Sequence, residues 1–348
     1  MGQVIDGRYE IIELLWSGAT AQVCRVRHRV LGRCFALKTL RAERSRNPAA
    51  VERLLREARA LASLNHPNII AALDSGWLPS GEPYFIMEYA EGVALDRWLQ
   101  QGPIDPDLAL EIASSICEAL EAAHRLGIVH RDLKPENVWV DRRGGVCSVK
   151  VLDFGLAQVS GQLRLTHPST THGTPEYMSP EQASGAALDG RSDLYALGVM
   201  LYEMLCGRLP FEAESTVGLI QQHRYAPVPP FERWLPATSS AFRLEPIVAR
   251  CLEKAPQARF ESAAQLWRAL APFRARRQTL RLLSGPPRLG FVPAAFGLGP
   301  PASSLHEAAP KRRLKHAALL LWILVGSCLG GLLYALYLWG AVFAGQNL

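Results

Sequence analysis

The sequence predicts an α+β chain in which strands come first and helices follow, ending in one membrane-crossing helix. Three observations predict it. Residues 9–40 alternate or run apolar in short stretches, as strands do. Apolar residues then recur at helical spacing over 51–62, 108–123 and 189–205. Finally, Ala317 to Gly345 contains no charged residue. At 348 residues and 49% hydrophobic composition, the chain can bury a large core. Its length suits a two-lobed domain of about 260 residues with additions.

The first strands are Tyr9–Leu15 and Cys34–Leu40, with Trp16-Ser17-Gly18-Ala19-Thr20-Ala21-Gln22-Val23 between them. Asn47-Pro48 is a cap followed by a first-turn proline, so a helix starts there. Val51, Leu54, Leu55, Ala58, Leu61 and Ala62 form its apolar face, and Glu57 borders that face. Glu57 can pair with Arg53 at i,i+4 or with a partner beyond the helix. Asn65 to Ile70 is a turn before another strand, and Pro83–Met87 is a strand. Asp105-Pro106 starts the next helix, Leu108, Ile112, Ile116, Leu120 and Ala123 are its buried stripe, and Gly127 stops it.

Residues 130–155 predict a hairpin. Val138-Trp139-Val140 and Val146–Leu152 flank a turn containing Gly144-Gly145, a pair that tolerates positive φ. Antiparallel pairing brings Asn137, before the first strand, beside Asp153, after the second. Both are oxygen donors of the kind a hard cation such as Mg²⁺ takes. Asp132 and Lys134 lie on the approach, adding a carboxylate for a nucleophile and an ammonium for an anion.

These residues carry a resemblance. His130-Arg131-Asp132-Leu133-Lys134-Pro135-Glu136-Asn137 and Asp153-Phe154-Gly155 resemble the catalytic and metal-binding loops of protein kinases. Lys134-Pro135-Glu136-Asn137 resembles the serine/threonine branch, in the bacterial membrane-anchored form. The likeness covers residues 9–272. It implies a two-lobed fold, with a β-rich N-lobe over about 9–89 and a helical C-lobe over about 91–272. It implies ATP and Mg²⁺, with Mn²⁺ as a substitute metal, and protein substrates. Asp132 would accept the substrate hydroxyl proton, Lys134 would steady the transferred phosphoryl group, and Asn137 and Asp153 would hold the metal.

Further positions follow from the same resemblance. Phe35-Ala36-Leu37-Lys38 is similar to the Val-Ala-Ile-Lys strand, so Ala36 would line the nucleotide and Lys38 would contact its phosphates and pair with Glu57. Met87 would be the gatekeeper, and the backbone of Glu88 and Ala90 would hold adenine. Of the glycine-rich loop only Gly18 and Val23 match. Trp16 and Ala21 stand where the first and third glycines would be, which leaves a nucleotide-binding pseudokinase as the rival reading. Asp193 would accept backbone N–H bonds from the catalytic loop, and Arg259 would pair with Glu181. The segment 156–173 would be an activation loop, with Thr166, Ser169, Thr170 and Thr171 as phosphosites and Arg131 as their partner. Autophosphorylation there would switch on activity.

Charge argues against a nucleic-acid partner. The net charge is +6, from 38 basic and 32 acidic residues. Nine of the basic and one of the acidic residues fall in 273–316 and none follow, leaving the first 272 residues at 29 and 31, a net of −2. The seven cysteines form no C-x-x-C pair and suit a reducing compartment. No N-terminal signal peptide is visible.

Residues 273–316 are rich in proline, glycine and arginine and read as a linker. Residues 317–343 are long enough to span a bilayer. Lys311-Arg312-Arg313-Leu314-Lys315 precedes them and no charge follows. That places the kinase domain in the cytoplasm and the C-terminus outside, with the basic cluster near anionic lipid. Gly326-x-x-x-Gly330 offers a helix-packing face, and with it a candidate homodimer.

Overall fold

The structure is a computed structural model that describes residues 2–154 and 175–274. Its first part is a six-stranded antiparallel sheet. The strands are β1 (Val4–Ile5), β2 (Tyr9–Ser17), β3 (Ala21–His28), β4 (Cys34–Leu40), β5 (Ala72–Trp77) and β6 (Pro83–Glu88). They are ordered β1-β2-β3-β4-β6-β5. Two helices, α1 (Ala42–Ser45) and α2 (Pro48–Ser63), connect β4 to β5. The α2 start is the predicted one: Asn47 accepts the Ala49 N–H at 3.0 Å, and Pro48 opens the first turn. Leu54, Ala58 and Leu61 of the predicted face are buried, so the helix is held by its amphipathic packing.

Strand alternation gives the sheet two faces. Val26, Leu37, Tyr84 and Ile86 pack with Ile5 and Tyr9 into a small separate core. Ala36, Leu40, Phe85 and Met87 belong instead to a core that runs through α2 into the helical lobe. One strand of the row thus serves both: Leu37 faces away from the cleft, while Ala36 and Lys38 face it.

The second part begins with β7 (Val93–Ala94), α3 (Leu95–Leu99) and α4 (Pro106–His124). Asp105 caps α4 through the N–H groups of Asp107 and Leu108, at 3.1 and 3.2 Å. Strands β8 (Val138–Asp141) and β9 (Ser148–Val151) form the predicted hairpin, in the register Val138↔Val151 to Asp141↔Ser148. Gly144 and Gly145 take φ of 67° and 76° at its turn, the conformation for which glycine is suited. The helices α5 (Pro180–Ser184), α6 (Gly190–Cys206), α7 (Thr216–Tyr225), α8 (Glu245–Cys251) and α9 (Ala263–Leu270) complete the lobe. Helix α6 is buried on nearly all sides, and α4 and α9 pack beside it.

Three differences from the sequence-based expectations have physical reasons. Strand β1 precedes residue 9 and pairs with β2, although two residues carry too little pattern to read. Strand β7 joins β8 as a third strand, for the same reason. Residues 213–272, which the sequence reads as helical with breaks at Pro227, Pro229, Pro230 and Pro236, are interrupted further than those breaks alone would give. Between α7, α8 and α9 the prolines leave only single 3₁₀ turns at Phe231–Arg233, Ser240–Leu244 and Pro256–Ala258. The proposed phosphosites Thr166, Ser169, Thr170 and Thr171, the linker and the 317–343 segment lie outside the described residues. Among the described residues, no helix is long and apolar enough to cross a membrane.

Candidate active site

Register places the N-lobe candidates. Val23 lies opposite Lys38, and Ala36 lies opposite Met87. Directly opposed residues share a face, and so do residues two apart, so Val23, Ala36, Lys38 and Met87 line one side of the sheet. Gly18 sits in the β2–β3 turn, where its N–H donates to the Ala21 carbonyl at 3.0 Å. The Glu88 N–H donates to the Ala71 carbonyl at 2.9 Å, and the Ala90 backbone follows two residues on. At Gly92, φ is 95° and a Cβ would lie 2.3 Å from the Val140 carbonyl oxygen, so the strand after the hinge can approach β8 only through glycine.

Lys38 is the centre of the site. Its Nζ lies 2.7 Å from Glu57 Oε1 and 2.7 Å from Asp153 Oδ1. Glu57 therefore reaches across to β4. The i,i+4 pair on α2 is Arg56 with Glu52, rather than Arg53 with Glu57. Burial works against the Lys38 charge, but the two carboxylates outweigh it and hold its pKa above the ordinary lysine range. Burial also raises Glu57, to about 7, against the pull of Lys38 and with a further push from the Asp153 charge. For Asp153, Lys38 prevails over burial and keeps the carboxyl below its usual range. Two carboxylates share one ammonium, so the site holds an excess of negative charge once Glu57 is ionised, above about pH 7.

The hairpin brings the remaining groups to that point. Asn137 Nδ2 donates to the Asp132 carbonyl at 2.8 Å, and the Leu152 N–H donates to the Asn137 carbonyl at 2.8 Å. Lys134 Nζ lies 3.2 Å from Asp132 Oδ2. The Asp132 side chain is 41% exposed, open to a second reactant. Asp153 and Arg131 have φ of 52° and 67°. Such values are rare for residues with a Cβ and persist where the surroundings fix them.

Asp193 supplies much of that fixing. Its Oδ2 accepts the His130 N–H and its Oδ1 the Arg131 N–H, each at 2.8 Å. His124 Nε2 also lies 2.8 Å from Oδ2. His130 Nε2 lies 2.9 Å from the Leu152 carbonyl, and its ring sits 4.7 Å from that of buried Phe154. Below, Arg259 grips Glu181 through two bonds of 2.7 and 2.8 Å.

The sequence left several supports unread. Gln182 Nε2 donates to the Arg131 carbonyl at 2.6 Å, from the capping box of α5. Lys150 pairs with Glu88 at 2.7 Å, and Arg143 pairs with Glu91 and Asp141, so the hairpin is tied to the hinge. Apart from Arg143–Asp141, these contacts join residues far apart in sequence, and no periodicity marks them.

The donor set fits Mg²⁺. With its Nδ2 spent on the Asp132 carbonyl, Asn137 has its amide oxygen left as a ligand, and Asp153 adds a carboxylate. Both are hard oxygens, and the net negative charge around Lys38 favours a cation. Among the described residues no group of three or more His, Cys, Asp or Glu could hold a metal. A site with few protein ligands is what Mg²⁺ uses when phosphates and water complete its shell.

A β-rich lobe and a helical lobe meeting at such a cleft define the two-lobed protein-kinase fold. Residues 9–269 match the protein kinase domain model, and the chain belongs to that family. It is 41% identical over 266 residues to the serine/threonine-protein kinase Pkn1 of Myxococcus xanthus, covering 76% of this chain and 38% of that protein. Over 271 residues it is 41% identical to the serine/threonine-protein kinase PknB of Mycolicibacterium smegmatis, covering 76% and 42%. Identity to the serine/threonine-protein kinase PrkC of Bacillus subtilis is 37% over 267 residues, covering 76% and 40%. The matched region thus spans about two fifths of the length of these relatives. The crystal structure of the PknI kinase domain of Mycobacterium tuberculosis superposes with a TM-score of 0.58 at 25% identity, covering 78% of this chain and 97% of that one.

Proposed function

We propose that the chain is an ATP-dependent serine/threonine protein kinase tethered to the membrane by residues 317–343. The observation that carries this reading is the Lys38 bridge to Glu57 and Asp153, beside an Asp132 and Asn137 locked by the hairpin. Lys38 bears the charge needed to meet nucleotide phosphates. Asp132 is exposed and placed to accept the proton of a Ser or Thr hydroxyl as its oxygen forms the new P–O bond and the bond to ADP breaks. Lys134 beside it holds positive charge for the transferred group. Mg²⁺ held by Asn137 and Asp153 would neutralise charge on the phosphate oxygens. Val23, Ala36 and Met87 give the nucleotide base an apolar wall, and the Glu88 and Ala90 backbone gives it polar partners.

The names of the relatives support the Ser/Thr assignment. The charge-free stretch after 316 and the basic cluster before it support a single-pass membrane protein with its kinase domain in the cytoplasm. Autophosphorylation on 156–173, and self-association through Gly326 and Gly330, belong to the same reading. The rival is a scaffold that binds nucleotide without turnover, motivated by Trp16 and Ala21 in the loop.

The test is to treat the full chain with phosphatase, incubate it with Mg²⁺ and ATP, and map phosphosites by mass spectrometry beside Asp132→Asn. Phosphoserine or phosphothreonine on 156–173 in the wild type alone is the expected result. No phosphate in either, with nucleotide still raising the melting temperature, would establish the scaffold instead.

A further inference from the structure

Trp16 lies on the sheet face that carries Lys38. It lies opposite Val23, Val23 lies opposite Lys38, and Lys38 lies opposite Phe85. Opposed residues share a face, and Lys38 directs its Nζ to Asp153, so this row faces the nucleotide site. Gly18, two residues on, should share that face. A Cβ on Gly18 would lie 2.3 Å from Trp16 Cη2 and 2.4 Å from Cζ2. The indole therefore lies across the Gly18 Cα. Gly18 has no positive φ. Its lack of a side chain seats the ring, and no unusual backbone conformation requires it. Trp16 itself remains 52% exposed.

The loop around it is already tied. The Gly18 N–H is spent on the Ala21 carbonyl. The Arg41 N–H donates to the Thr20 carbonyl at 3.0 Å, and Arg41 Nη1 lies 3.5 Å from Ser17 Oγ. The Gly18 N–H is thus not available to a phosphate, and the indole offers a flat apolar face beside it.

We infer that Trp16 is a nucleotide-contacting residue whose indole covers the sugar of the bound nucleotide, adding an aromatic contact that a glycine at that position could not make. The inference rests on the kinase reading. It makes Trp16 and Gly18 one unit, in which each requires the other.

The test uses the full chain and two variants, Trp16→Gly and Trp16→Phe, with Mg²⁺ and ADP as the probe. Calorimetry should give a Kd about tenfold weaker for Trp16→Gly, the scale of one lost aromatic stack, and near wild type for Trp16→Phe. In turnover, KM for ATP should rise in Trp16→Gly while kcat changes little. Wild-type tryptophan emission should change on ADP binding, and Trp16→Phe should lose that change. A Kd for Trp16→Gly equal to or tighter than wild type overturns the inference and leaves the kinase reading intact. Failure of the wild type both to bind ADP and to transfer phosphate overturns the kinase reading and this inference with it. Equal melting temperatures for all three, expected for a half-exposed side chain, show that the variants fold.

Discussion

Glu57 and Glu181 are both shielded carboxylates held by a cationic side chain, yet their surroundings differ in kind. Glu181 accepts both Nη atoms of Arg259 and the Ser192 hydroxyl, the last at 2.7 Å. Arg259 in turn uses all five of its N–H donors, with Glu181, Arg191, Glu253 and Lys254 as acceptors. Its side chain is fully buried. Burial raises the Glu181 pKa, but Arg259 and Ser192 outweigh it and hold the carboxyl low. Glu57 instead shares Lys38 with Asp153, and its carboxyl rises to about 7. One network is complete and has nothing left to bind. The other lacks positive charge and would be completed by a metal cation. Full satisfaction marks a support, and deficiency marks a working site.

The comparison sharpens most at the reacting end. Asp132→Asn should lower phosphate transfer about 10²- to 10⁴-fold, the usual value of a general base, without weakening ADP binding measured by calorimetry. An equal loss in both would move Asp132 from chemistry to nucleotide binding.

Next is the complete network. Arg259→Met should cost about 3–5 kcal/mol of stability, because Glu181 is left charged and buried without its partner. Denaturant unfolding would measure it. A loss near zero would show that Glu181 is reached by water or finds another partner.

Smaller effects belong to Glu57. Its folded pKa, about 7, lies above its ordinary 4.5. Its contribution to the stability of the ligand-free chain is therefore present below about pH 4.5 and is lost as pH rises through about 7. Activity should run the other way. Protonation below about pH 7 removes the negative partner of Lys38, so kcat/KM for ATP should fall on the acid side. Glu57→Gln should be slower, and that acid limb should disappear from its pH profile. Retention of the limb would assign it to another group.

Legibility in the sequence followed how local the signal was. The hairpin meeting of Asn137 with Asp153 was readable because Gly144-Gly145 fixes a turn between two apolar runs. The Lys38–Glu57, Asp193 and Glu181–Arg259 contacts were readable only through the kinase resemblance, since each joins residues on separate elements. The clamps Lys150–Glu88 and Gln182–Arg131 were not read, because a charge or amide on an ordinary strand or helix gives no sign of its partner. Trp16 was read as a departure from the glycine pattern. The seat for its ring on Gly18 is visible only in the three-dimensional approach of the indole to the Gly18 Cα.

The most direct measurement of the claim that the cleft network is the incomplete one is calorimetry of ADP binding with and without Mg²⁺, in the wild type and in Asp153→Asn. The account predicts that Mg²⁺ strengthens binding to the wild type at least about tenfold, which is ~1.4 kcal/mol, and leaves the variant nearly unchanged. Equal strengthening in both proteins would contradict it, because the metal would then enter without Asp153, the carboxylate that the hairpin delivers to Lys38.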